Sequence, residues 1–330
     1  MKVMITGAAG FIGGYLAKYC LDAGGTLLGI GLTEPSGTWA GGAFECCDVR
    51  DELKLAHLVS TFRPDRIFHL AAQSYPTVSL QRPRETLEVN AIGTINLFES
   101  VREAAIHPTI VVACSSAEYG PVAGGDLPVR EDHPLRPLHP YGVSKVAQDL
   151  LAAQYFANYG IHAVRIRIFN TTGPGKLGDL CSDLAKRAIE IEMGLRSPCL
   201  IVGNLTRRAI VDVRDLVSGL WLAAELGGAG EVYNLGTEQI YSVEQVIESI
   251  RRQLRVAFSV QQDSSLQRGC DEKVIAGDIS KIRQCTGWSP EIELDDTLRD
   301  MLEWWRKQLN SAYDSHAIAP LVQAQERPAP

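Results

Sequence analysis

Two rhythms of apolar and polar residues alternate through the first half of the chain. Short apolar runs recur at "KVMIT" (2–6), "TLLGIG" (26–31), "AFECCDV" (43–49), "RIFHLAA" (66–72), "TIVVACS" (109–115) and "HAVRIRIF" (162–169). Each is strand-sized and bounded by turn residues. Between them lie longer stretches with helical spacing, which predict helices over about 11–23, 51–62, 84–105 and 141–159. Apolar strands interleaved with helices describe a parallel sheet covered on both faces: an α/β, Rossmann-type, doubly wound fold.

The rhythm breaks after residue 169. "NTTGPGKLG" is punctuated by Gly and Pro, and a helix is predicted over 179–194. A further helix (212–225) and the strand "VYNLG" (232–236) resume the first pattern. The expected organisation is a nucleotide-binding domain of residues 1–169 plus about 212–236. A smaller, discontinuous C-terminal substrate domain takes 170–211 and 237–309. From 310 to 330 periodicity is lost, and this tail is expected to be disordered or loosely docked.

Composition adds exclusions. At 330 residues with 45% hydrophobic and 22% charged, the chain has ordinary globular composition. A net charge of −7 argues against nucleic acid or an anionic membrane as partner, so any phosphate site is local. No apolar run reaches about 18 residues, the length of a membrane span. The start, "MKVMITGAAGFIGGYL", fits a secretory signal poorly because glycines interrupt it. Eight scattered cysteines without C-x-x-C or nearby His suggest free thiols, no metal site and a cytoplasmic setting.

The chemistry is concentrated in three stretches. "TGAAGFIG" places Gly7, Gly10 and Gly13 between a strand and a helix, where a tight turn, a close approach to pyrophosphate and close helix packing need glycine. "YGVSK" puts Tyr141 and Lys145 four apart, on one helix face. The ammonium is expected to lower the phenol pKa toward working pH, as suits a proton donor or acceptor. Ser115, at the carboxyl end of a predicted strand, can bond the same substrate oxygen.

Together these motifs resemble the extended short-chain dehydrogenase/reductase family over roughly residues 1 to 305. The resemblance implies a catalytic set of Ser115, Tyr141 and Lys145. It also implies cofactor contacts from Gly7, Gly10, Phe11, Ile12 and Gly13, from the adenine-side pair Asp48 and Val49, and from Leu70, Ala71 and Ala72 of "HLAAQS". Tyr141 and Lys145 would face the cofactor too, and Asn90 in "NAIGT" matches a structural position. The cofactor is NADP or NAD: "GIGLTEPSG" offers neither acid nor Arg at Gly31 or Leu32, and Glu34 comes late. Implied substrate contacts are Ser116, Asn170 in "FNTTGPG", Lys186, Arg208, Arg268 and Asp271, the arginines suiting a diphosphate.

Within the family the motifs most resemble GDP-4-keto-6-deoxy-D-mannose reductases, with GDP-mannose 4,6-dehydratases nearby. Dehydrating members carry an acid just after the catalytic hydroxyl, where this chain has Ser116 and Ala117. Glu118 is one residue late, and on an extended segment it would point to the opposite face. The implied reaction is reduction of a C4 ketone, giving GDP-D-rhamnose or a close analogue. A 4-epimerase with bound NAD is the alternative enzyme, and a nucleotide sensor without catalysis is the alternative of another class. A homodimer is expected through the helices near 84–105 and 141–159, whose apolar faces include Leu97, Val101, Leu150 and Leu151.

Overall fold

The computed structural model describes residues 1–35, 39–203, 207–263 and 274–314, with side chains as far as 311. Seven parallel strands form one sheet: β1 (Lys2–Thr6), β2 (Thr26–Gly31), β3 (Ala43–Cys46), β4 (Arg66–His69), β5 (Thr109–Ser115), β6 (Ala163–Ile168) and the strand Val232–Leu235. The last lies beside β6, and the order then runs β5, β4, β1, β2, β3. Order reverses between β1 and β4, which pair in the register Thr6↔His69. In such sheets ligands bind beyond the carboxyl ends of the strands at this reversal.

The apolar runs become strands because both faces are covered. In β1, Val3 and Ile5 belong to one core cluster with Leu16, Val164, Leu216 and Trp221. Met4, pointing the other way, belongs to a second cluster with Ile67, Leu97, Phe98, Val101 and Ile110. The helices on the first unit are α1 (Phe11–Asp22), α2 (Glu52–Phe62), α3 (Pro76–Gln81), α4 (Pro83–Leu87), α5 (Gly93–Glu103) and α6 (Pro140–Tyr159). The helix predicted over 84–105 is interrupted by a π-turn, Glu88–Ile92, between α4 and α5. The start of α6 is set by Pro140 in the first turn and by the His139 ring, whose Nδ1 accepts from Gly142 N at 3.0 Å; Gly160, at φ 66°, ends it.

Two compact units emerge: 1–171, 208–240 and 272–291 in the first, and 172–207, 241–271 and 292–330 in the second. The second contains α7 (Leu180–Glu192), α9 (Val243–Gln253), α11 (Leu294–Asp314) and a parallel strand pair, Cys199–Val202 with Ser259–Gln262. Arg306 clasps Glu192 through two bonds of 2.7 and 3.1 Å, tying α11 to α7. The first unit also holds α8 (Val213–Leu226) and α10 (Ser280–Thr286).

Two sequence expectations are corrected. Residues 274–291, expected in the second domain, lie in the first unit because Ile282 and Trp288 join its core and Trp288 Nε1 donates to Asp215 O at 3.0 Å. Helix α11 continues to Asp314, past the point where periodicity fades at 310. Residues 315–330 lie outside the described residues.

The seven described cysteines are all free. No described helix is long and apolar enough to cross a membrane.

Candidate active site

The glycine turn joins β1 to α1 in the manner its spacing requires. Gly7 adopts φ 74°, and a Cβ there would stand 2.7 Å from Ala71 N. A Cβ on Gly13 would meet the Gly7 carbonyl oxygen at 2.3 Å, so only glycine lets α1 lie this close to the turn. Gly10 caps α1 without a side-chain bond, and no acidic residue occupies the first turn. The amide end of α1 therefore keeps its affinity for an anion, as a cradle for pyrophosphate must. Phe11 and Ile12 open the helix, half-buried.

The other proposed cofactor residues line the same carboxyl ends. Leu70 N donates to Thr6 O at 3.1 Å, and Ala71 N to Thr6 Oγ1 at 3.2 Å, holding "LAA" beside the glycine turn. Ala72 follows, half-buried. The Asp48 carboxylate is gripped by Arg50, with Nη2 at 2.6 Å from Oδ2. That hydrogen bond holds its pKa below the usual carboxylate range. Val49 is buried in the core and its carbonyl accepts from Asn96 Nδ2 at 3.0 Å.

Asn90 explains the π-turn's position. Its side chain accepts from Gln73 N (2.8 Å) and donates to Gln73 O (3.1 Å) and Ser144 Oγ (2.8 Å). One amide thus staples the loop after β4 to helix α6. Such turns recur at functional sites because they re-aim a backbone segment.

Ser115, Tyr141 and Lys145 come together. Ser115 is close enough to Tyr141 to lower its phenol pKa, and Lys145 Nζ lies 5.9 Å from the Tyr141 ring centroid. The His139 ring stacks on Tyr141 at 5.9 Å and 22°. Lys145 Nζ donates to Ala113 O and to Gln148 Oε1, both at 2.7 Å. The expected lowering of the phenol pKa is not found. Although the Tyr141 ring is only partly buried, burial pushes the phenol up to about 12, and Ser115 offsets part of that. Burial lowers the Lys145 ammonium to about 8. The ammonium is committed to two carbonyl oxygens rather than to the phenol, so Tyr141 is a protonated donor at neutral pH.

Glu118 is turned away, though not by an extended strand. Residues Ser116–Glu118 form a 3-10 turn in which Ser115 Oγ accepts from Ala117 N at 3.2 Å and Glu118 Oε1 accepts from Ser115 N at 2.7 Å. The carboxylate has no exposed surface, and its Oε2 lies 3.3 Å from Arg167 Nε. Burial, with Asp149 adding, raises its pKa to about 8. Ser116 is buried and Ala117 half-buried.

The substrate-side expectations fare unevenly. Asn170 follows β6, and its buried Nδ2 has no hydrogen-bond partner, which in a native fold calls for a ligand or water. Lys186, on α7, sits 5.6 Å from the Trp305 ring centroid and 3.8 Å from Glu190 Oε1. Arg208 is half-buried on the short strand Arg207–Ala209. Arg268 and Asp271 lie outside the described residues.

Sequence reasoning missed four polar residues: Thr6, His69, Thr94 and Gln148, all fully buried and bonded in sequence toward Lys145. Only Gln148 had a local signal, three residues after Lys145 on the same helix.

The chain is similar to known proteins over most of its length. The family model described as GDP-mannose 4,6 dehydratase matches residues 4–301. A GDP-6-deoxy-D-mannose reductase of Pseudomonas aeruginosa is 29% identical over 93% of this chain and 98% of its own. A UDP-glucose 4-epimerase of Streptomyces lividans is 27% identical over 92% of this chain and 95% of its own. The structure of RMD from Pseudomonas aeruginosa complexed with NADPH superposes with a TM-score of 0.84 at 29% identity, covering 93% of this chain and 99% of that one.

Proposed function

The chain belongs to the GDP-mannose 4,6 dehydratase family of NAD(P)-dependent extended short-chain dehydrogenase/reductase enzymes, and from that premise we propose that it reduces the C4 ketone of a GDP-4-keto-6-deoxyhexose. The product is of the GDP-D-rhamnose type. The observation that carries this reading is the placement of Glu118. Elimination of water from a hexose needs a group to take one proton and return another at the neighbouring carbon. Ala117 has none, and Glu118 is locked against Ser115 N and Arg167 inside the core. Ketone reduction needs one proton only, and Tyr141 holds it.

The nicotinamide cofactor, NADP or NAD, supplies the hydride when bound. Gly7, Gly10, Gly13 and the amide end of α1 would hold its pyrophosphate, with Asp48 and the segment Leu70–Ala72 alongside. Ser115 and Tyr141 polarise the ketone oxygen, Tyr141 delivers its proton, and Lys145 keeps positive charge nearby. Asn170, with its unpartnered amide nitrogen, donates to the substrate. Ser116, Lys186, Arg208, Arg268 and Asp271 complete the proposed substrate contacts. A nucleotide-sugar partner in a reducing, cytoplasmic setting accords with the free thiols.

A 4-epimerase is the second reading, favoured by the relative from Streptomyces lividans. It begins by oxidation with Tyr141 as the proton acceptor and bound NAD as the hydride acceptor, so turnover without added reduced cofactor would favour it. The protein is expected to consume GDP-4-keto-6-deoxy-D-mannose with NADPH or NADH, and to form no 4-keto product from GDP-mannose with oxidised cofactor. UDP- and dTDP-linked analogues should be poorer substrates. Accumulation of the 4-keto sugar from GDP-mannose would replace this reading with the dehydratase one.

We also infer a homodimer, on residues partly different from those first expected. Leu97 and Val101 are fully buried against the sheet and cannot form an interface; Leu151 packs on the same core. Leu87, Ile92, Val143 and Leu150 are exposed on α4, the π-turn and α6. Apolar groups gathered on one helical layer are what a second copy would cover. Sedimentation should give a dimer at micromolar concentration, and Leu150→Glu should shift it toward monomer; a monomeric wild type would remove the idea.

A further inference from the structure

Lys145 sits at one end of a buried chain of hydrogen bonds that the proposed reaction does not itself require. Gln148 Nε2 donates to Thr94 Oγ1 at 2.8 Å, and Thr94 Oγ1 donates to Asn90 O at 2.6 Å. A hydroxyl has one hydrogen, so toward every other partner Thr94 is an acceptor. His69 Nε2, at 2.9 Å from Thr94 Oγ1, must therefore carry the ring proton. His69 Nδ1 then accepts from Thr6 Oγ1 at 2.8 Å, and Thr6 Oγ1 accepts from Ala71 N beside the glycine turn. Burial holds His69 neutral, lowering its pKa to about 3. Each bond has one permitted direction.

Those directions rule out a proton wire. Lys145 can only donate, so the Gln148 amide must present Oε1 to it and Nε2 to Thr94. An amide does not pass protons at neutral pH, and the Thr94 hydrogen ends on a backbone carbonyl. What the chain can do is fix geometry. We propose that Gln148 is the positioning residue of Lys145: its carbonyl, oriented through Thr94, and the Ala113 carbonyl bind two of the three ammonium hydrogens and leave one for the reacting partner. The kinetic part of this inference rests on the catalytic reading of Lys145 given above.

Other groups face Lys145 and could mimic such an effect. They are Cys114 on β5, Glu118 on the turn after β5, His69 on β4 and Tyr141 on α6 itself. Substitution at position 148 leaves all four unchanged, so it isolates the amide. Gln148→Met keeps the volume and removes the acceptor. Gln148→Glu keeps an acceptor but adds charge and cannot donate to Thr94. A residue that merely fills space would tolerate Met better than Glu; a positioning residue would show the reverse order.

The test follows Lys145 directly through its 13Cε resonance, assigned with Lys145→Met, in parallel with steady-state kinetics on the full chain. The Lys145 titration midpoint, which burial lowers to about 8, should rise by at least about one pH unit in Gln148→Glu relative to Gln148→Met, because a carboxylate close to an ammonium favours its charged form. The Met variant should lose roughly 10- to 100-fold in kcat, the effect of one hydrogen bond to a charged group, with KM for cofactor little changed. The Glu variant should recover much of that loss and carry its alkaline limb upward. Equal Lys145 midpoints in the two variants overturn the assignment whatever their activity. Wild-type turnover in Lys145→Met would instead overturn the catalytic reading of Lys145, and so separates the two failures.

Discussion

Tyr141→Phe is expected to lower turnover by at least about 100-fold while leaving cofactor affinity nearly unchanged, because a positioned general acid commonly contributes about 10²–10⁴. The substitution removes one oxygen and keeps the ring that stacks on His139. The hydroxyl it removes lies beside Ser115 and, with burial pushing its pKa up to about 12, is protonated throughout the neutral range. An acid of that strength gives up its proton only as the ketone oxygen gains charge, so proton and hydride transfer are linked. The alkaline limb of kcat should accordingly follow Lys145, near 8, rather than the phenol. Fluorescence titration with NADPH and NADH, beside initial rates, separates binding from chemistry. Turnover like that of the wild type would remove the mechanism.

How far the sequence reveals this site depends on the distance over which each feature is encoded. The glycine turn, the Tyr141–Lys145 pair and the N-terminal strands are local patterns, and β2, β5 and α2 fall within a residue of where periodicity puts them. Ser115 is legible because a strand end is local too. The network around Lys145 is not: Thr6 and His69 are 63 residues apart, and Gln148 and Thr94 are 54 apart. No spacing rule joins them, and each alone is an ordinary core polar residue. The phenol's pKa escapes the sequence for the same reason, since charge attraction between helix neighbours is visible in sequence and desolvation is not. Leu97 and Val101 show the converse limit: an apolar helix face is legible, but whether sheet or partner covers it is not.

The buried ion cluster behind Ser115 gives the largest expected change in stability. Arg167 Nε lies 2.9 Å from Asp149 Oδ2 and 3.3 Å from Glu118 Oε2, and Arg167 Nη1 donates to Tyr119 Oη at 3.0 Å. Both carboxylates are wholly buried. Among the described residues, Arg167→Met would leave buried Asp149 with Arg165 as its one paired cation and Glu118 with none, and should cost about 3–5 kcal/mol, the usual penalty for breaking a buried pair from one side. Glu118→Gln should behave differently. Its pKa rises from 4.5 to about 8 in the fold, so the native state binds the proton more tightly than the unfolded chain does. The stability that Glu118 contributes is thus complete below about pH 4.5 and is lost as pH rises through 8. Glutamine resembles the protonated acid and still accepts from Ser115 N, so the variant should gain on the wild type between pH 5 and pH 8 while turnover changes only a few-fold. Urea unfolding of both proteins at the two pH values measures this. A difference independent of pH would mean that Glu118 is ionised in the fold, and a collapse of turnover would make it, rather than Tyr141 alone, part of the acid–base chemistry.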